Sequence, residues 1–222
     1  MNLELTETQT ILRDSLRELL EAEVPFSRVR ELEKRPTLDE ALWRSLHEQG
    51  WLAVSIPDDP DDGGLIETGL LVEEVQRRAA LVPIAESLAC AVAIRRYGPD
   101  DRAADLVGEI VSGSSTLVPA ILESADRFDT IDAEVTVDGR LRGEKRFVDY
   151  ASCATHHLVA ARQHDQVGLF LVDAAQPAVK IEATHSMART PQARVLYDGV
   201  AAEHICDAEG FAFLIQLGRA PV

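Results

Sequence analysis

The hydrophobic period of this chain changes near Gly113, and nothing else in the sequence constrains its fold as tightly. Before that point apolar residues recur at helical spacing. After it, short apolar runs are separated by turn residues. Helices first and strands second predict an α+β arrangement: an N-terminal all-α helical domain followed by a small β-barrel or sandwich.

In the first half, Thr6-Glu7-Thr8-Gln9 reads as a capping box. Leu12, Leu16, Leu19, Leu20 and Val24 then follow on one stripe, and Pro25 ends that helix. Pro36-Thr37 with Glu40 reads as a second box, opening a helix to Gln49 with Leu38, Leu42 and Leu46 inward and Gly50 behind it. The run WLAVSIPDDPDDGGL reads as a short extended piece and a solvated turn. Its acids do not make a calcium loop, because Gly69 or Leu70 stands where the bidentate Glu is needed. Further helices are expected from Leu65 to Ala80, Ile84 to Tyr97 and Asp101 to Ser112. Arg77-Arg78 and Arg95-Arg96 near helix ends read as charge favoured by the helix dipole, not as nucleotide contacts.

In the second half, strands are expected at Thr116–Leu122, Glu134–Val137, Leu141–Val148, Leu158–Arg162, Val167–Asp173, Val179–Glu182 and Arg194–Tyr197, with Asp138-Gly139 as a hairpin turn. From Ala208 the helical period returns through Phe211, Phe213, Leu214 and Leu217. Residues 1–113 and 114–206 thus read as helical and β-domains. Residues 207–222 read as the start of a truncated helical domain, or an apolar tail that docks on a neighbour.

Charge and motifs exclude more than they assign. A net charge of −16 opposes nucleic-acid phosphates. No apolar run reaches the length of a membrane span, and no signal-like segment opens the chain. Cys90, Cys153 and Cys206 lie far apart, as reduced thiols of a cytoplasmic protein would. There is no GxGxxG, phosphate loop, GxSxG or HExxH. His156 and His157 are adjacent in a strand, so they face opposite ways and cannot chelate one ion; no metal site is expected.

The order of segments is more specific than any motif. LTETQTILRDSLRELL, ALWRSLHEQGWLAVSIPDDPDDGGL and LLVEEVQRRAALVPIAES together resemble the N-terminal helical domain of the acyl-CoA dehydrogenase family. VDGRLRGEKRFVDYASCATHHLVAAR, VGLFLVD and HSMARTPQARVLYDGV resemble its middle β-domain. The resemblance implies FAD as cofactor and an acyl-CoA thioester as substrate, with a carboxylate base taking the α-proton while hydride leaves the β-carbon. It also implies an oligomer, homomeric or formed with another chain of the family. The family's base lies in a C-terminal helical domain and has no counterpart here, so no catalytic residue is expected within the chain and the chain alone is expected to be inactive.

The resemblance places the flavin contacts at Leu122, Glu123, Phe128, Phe147, Val148 and Asp149. LESADRFD stands where the family has Thr-Glu-Pro and then Gly-Ser-Asp. Leu122 replaces a hydroxyl, Glu123 is retained, Ser124 replaces the proline, Phe128 replaces a serine, and Asp129 is kept. In Phe147-Val148-Asp149 the final Thr or Ser has become a carboxylate. Two functions follow from the resemblance. One is FAD-dependent α,β-dehydrogenation of an acyl-CoA once a C-terminal domain or partner chain completes the site. The alternative is a non-catalytic partner subunit with a degraded flavin site. A scaffold or acyl-CoA-binding module without redox chemistry is a third.

Overall fold

The structure is a computed structural model describing residues 4–56, 64–123, 131–136, 138–164 and 166–219. The helical part holds α1 (Glu7–Glu23), α2 (Phe26–Lys34), α3 (Glu40–Glu48), α4 (Trp51–Val54), α5 (Leu65–Arg77), α6 (Ile84–Tyr97) and α7 (Asp100–Ser112). Thr6 and Gln9 form the expected capping box on α1. α3 starts later than the sequence indicates. Its cap is Asp39, whose carboxylate accepts from the Leu42 N–H and also binds Arg28 bidentately. α2, directly after Pro25, is a helix that the sequence reading does not include. The proline stands as its N-cap, where a missing N–H costs nothing. WLAV is likewise one helical turn and not an extended piece, entered through Gly50 at φ 76°. The acidic turn expected at 57–63 lies outside the described residues.

The β-part holds β1 (Leu117–Ala120), β2 (Glu134–Val135), β3 (Arg140–Asp149), β4 (His156–Gln163), β5 (Gln166–Asp173), β6 (Val179–Thr184), β7 (Gln192–Ala201) and β8 (Glu203–Cys206), followed by α8 (Ala208–Arg219). The strand order is β6-β7-β3-β2-β4-β5-β8, with β1 paired in parallel to β4. β8 is a short strand that the sequence pattern does not reveal.

Alternation along the strands separates two cores. Leu158 and Ala160 of β4, with Leu169 and Leu171 of β5, join the helices in the first. Val159, Ala161, Phe170 and Val172 point the other way and meet Val148, Val195 and Tyr197 in the second, around which the sheet curls. β4 and β5 are therefore covered on both faces, which explains their nearly unbroken apolar runs.

α8 packs on the chain's own first core. Leu214 is 3% exposed, and Phe211 and Phe213 pack against the first core. Phe213 also meets Tyr97 of α6 at 5.4 Å between ring centroids. Gly210 permits this approach, since a Cβ there would lie 2.6 Å from the Cys206 Cβ. Among the described residues no helix is long and apolar enough to cross a membrane.

Candidate functional site

The residues singled out by the sequence come together where β3 passes the segment after β1. Strict alternation from Leu141 would bury Lys145 and then Phe147. A bulge intervenes: Lys145 pairs with Val195 and Val148 with Ala193, so β3 carries one residue more than β7 over this interval. Phe147 takes φ 55° and turns outward, 44% exposed, while Val148 enters the second core. The Arg146 N–H donates to the Leu122 carbonyl at 2.7 Å, so Leu122 and Glu123 lie beside residues 145–149. Phe128, with Ser124 and Asp129, lies outside the described residues.

Glu123 is fully occupied within the protein. Its carboxylate accepts from the Asp132 N–H at 2.6 Å, the Ala133 N–H at 3.0 Å and the Lys145 ammonium at 2.5 Å. Lys145 is 0% exposed and also donates to the Ile121 carbonyl. Burial lowers the Lys145 pKa to about 8, with the Glu123 hydrogen bond opposing. Gly143 lets β3 come this close, because a Cβ there would lie 2.5 Å from the Ala133 Cβ. Lys145 was absent from the sequence-based site, although its inward register with Leu141 was the available signal.

Asp149 is half-buried and accepts from the Gln192 side-chain amide on β7 at 3.0 Å. Burial raises its pKa, and the Gln192 hydrogen bond opposes. Glu86, in the first turn of α6, is a second acid here. Burial, with a smaller contribution from Asp149, raises it to about 7. Nothing in the sequence pattern pairs Glu86 with Asp149; only the docking of α6 on the sheet does.

His157 is buried and structural. Its Nε2 donates to the Ala151 carbonyl at 3.0 Å, so Nδ1 accepts from the Tyr197 hydroxyl at 2.9 Å. Among the described residues no cluster of three or more His, Cys, Asp or Glu side chains could hold a metal ion.

Among the described residues, the side chains at this edge fit a flavin ring poorly. A flavin ring and its pyrophosphate need hydrogen-bond donors and tolerate a neighbouring anion badly. Leu122 offers no side-chain donor, Val148 is in the core, Glu123 is committed to Lys145, and Asp149 presents a half-buried acid. Among the described residues, what remains is the exposed ring of Phe147 and backbone amides.

Comparison with known proteins agrees with the architecture. The family model described as acyl-CoA dehydrogenase, N-terminal domain, matches residues 6–114. The acyl-CoA dehydrogenase FadE27 of Mycobacterium tuberculosis is 31% identical over 159 residues, which cover 69% of this chain and 42% of that protein. The probable acyl-CoA dehydrogenase YdiO of Escherichia coli is 24% identical, over 96% of this chain and 61% of that one. The chain thus spans less than two thirds of the curated relatives it matches. Among solved structures, the ChsE4-ChsE5 complex of Mycobacterium tuberculosis superposes with a TM-score of 0.88 at 25% identity, covering 98% of this chain and 62% of that one. A variant of the Tcur3481-Tcur3483 steroid ACAD gives 0.85 at 30% identity, covering 96% and 60%.

Proposed function

Because this chain belongs to the acyl-CoA dehydrogenase family, we propose that it works as the non-catalytic partner subunit of an acyl-CoA dehydrogenase assembly. It contributes helical and β layers, while a competent chain of the same family holds FAD and supplies the base that acts on an acyl-CoA thioester. The observation that carries this reading is the state of the flavin-side edge. Leu122 has no donor, the Glu123 carboxylate is committed to Lys145 and two backbone N–H groups, and Asp149 brings an acid where a hydroxyl is needed. Two of the relatives, ChsE4-ChsE5 and Tcur3481-Tcur3483, carry paired chain names, which supports a hetero-oligomer here.

A second reading is supported by Phe147. Its exposed ring, next in sequence to the Arg146 N–H that bonds the Leu122 carbonyl, is an apolar surface on which a flavin held by backbone amides would sit. On that reading the chain itself performs FAD-dependent α,β-dehydrogenation once a C-terminal domain completes it. Flavin content separates the two. The chain is purified with FAD alone and together with a second dehydrogenase-like chain, and absorbance is recorded. The partner-subunit reading expects the single chain colourless, co-purification with the second chain, and flavin gained by the Leu122→Thr, Asp149→Thr double variant. Stoichiometric flavin on the unaltered single chain overturns it in favour of the second reading.

A further inference from the structure

A cleft of about 300 Å³ opens between α2, the turn after α5 and the loop joining β6 to β7. That volume is at the lower bound of small-molecule sites, about 300–1,000 Å³. Val29, Ala80 and Leu81 give it an apolar wall, and Tyr150 and Arg189 also line it.

Tyr150 is 3% exposed, and its hydroxyl is not among the buried side-chain atoms left without a partner. A phenolic hydroxyl on a cleft wall can donate to a ligand oxygen. Burial, with Glu86, Asp149 and Cys153 nearby, raises its pKa and keeps it a neutral donor. Arg189 is exposed and has no acidic partner among the described residues. The backbone is also unusual here. Ala79, Tyr150 and Arg189 take φ 51°, 55° and 59°, three of the five non-glycine residues with positive φ among those described, and all three line this cleft. Such conformations concentrate at ligand sites. The Tyr150 N–H donates to the Pro191 carbonyl at 2.6 Å, which holds the Arg189 loop against the tyrosine.

We propose that this cleft binds a small monocarboxylate bearing a hydrogen-bonding oxygen toward its apolar end. The carboxylate pairs with Arg189, the methylene body lies along Val29, Ala80 and Leu81, and the distal oxygen accepts from Tyr150. A guanidinium fork matches a carboxylate in two parallel bonds. A phosphate dianion suits the site less, because Arg189 is its one lining cation and Glu33 stands on its α2 side. Glu86 and Asp149 repel a second anion from the tyrosine end. The site depends on neither flavin nor thioester, so it stands or falls apart from the proposed assembly.

Calorimetric titration of the full chain, without FAD, tests it. The probes are hexanoate, octanoate and decanoate, their ω-hydroxy counterparts, and inorganic phosphate. Saturable one-to-one binding of the carboxylates is expected, with one ω-hydroxy acid about 2- to 10-fold tighter than its parent. Arg189→Gln, an exposed change, weakens all carboxylates about 10-fold or more. Tyr150→Phe erases the hydroxyl advantage and leaves the plain acids unchanged. Unfolding midpoints of both variants are compared with the parent; if Tyr150→Phe fails to fold, the Arg189→Gln titration decides. Absence of saturable carboxylate binding, phosphate binding as tight as the carboxylates, no effect of Arg189→Gln, or a hydroxyl advantage surviving in folded Tyr150→Phe each overturns the proposal.

Discussion

Glu123→Ala and Lys145→Met separate a structural pin from a cofactor contact. Glu123 and Lys145 join residues 121–123 to 132–133 and to β3 through one carboxylate. Glu123→Ala leaves the Lys145 ammonium, 0% exposed, with the Ile121 carbonyl alone, and deprives two N–H groups of their acceptor. Removing one partner of a buried pair costs about 3–5 kcal/mol. Lys145→Met is milder, about 1–2 kcal/mol, since Glu123 keeps both amide donors and the space is refilled by an apolar chain of similar length. Urea unfolding at neutral pH measures both. The pH dependence gives an independent check. Burial lowers the native Lys145 pKa to about 8 from 10.5. Between those values the unfolded chain holds a proton that the native chain has lost, so this group makes stability rise with pH. The gap between parent and Lys145→Met therefore widens as pH passes about 8. Equal costs for the two variants, or a Glu123→Ala cost below about 1 kcal/mol, would refute the pin.

Two further outcomes are expected. Glu86 is raised to about 7 from 4.5, chiefly by burial, so the native chain binds its proton more tightly and stability falls as pH rises from 4.5 to 7. Glu86→Gln should flatten that slope and stabilise the chain at neutral pH by about 1–3 kcal/mol, read from unfolding curves across that range; an unchanged slope refutes the assignment. Leu214→Ala should cost about 2–4 kcal/mol and speed proteolysis within α8, because Leu214 is the buried anchor of that helix. A cost within about 0.5 kcal/mol, as at an ordinary surface position, would mean that α8 does not dock as described.

The sequence discloses what local periodicity controls. The α1 capping box, α6, α7 and the order of helices before strands all follow from spacing and turn residues. It misplaces the cap of α3, because Thr37 and Asp39 both suit the role. Asp39 wins through its ion pair with the half-exposed Arg28, a contact made by tertiary folding. It hides α2 because Pro25 serves equally well to end one helix and begin another. At the site, the family resemblance picks out 122, 123 and 147–149, yet it does not say which side chains are free. Glu123 is claimed by Lys145, 22 positions away, and Asp149 by Gln192, 43 positions away; such partners carry no local signal.

The bulge in β3 explains how the frame of such a site persists when its polar contacts change. One extra residue turns the Arg146 N–H toward Leu122 and frees Phe147 from the core. It leaves Val148 buried and Asp149 at the half-buried edge. The groups that hold this geometry are Lys145, Val148 and the Glu123 carboxylate, all committed inward. On the proposed reading, the groups facing a cofactor are the side chains of Leu122, Phe147 and Asp149, outside that pin. On that reading, a change at 122 or 149 alters a cofactor contact without loosening the Lys145–Glu123 pin or the second core. The helical and β layers of this family can thus be kept while side chains at the flavin-side edge change, and for that reason the fold alone does not assign a redox role to this chain.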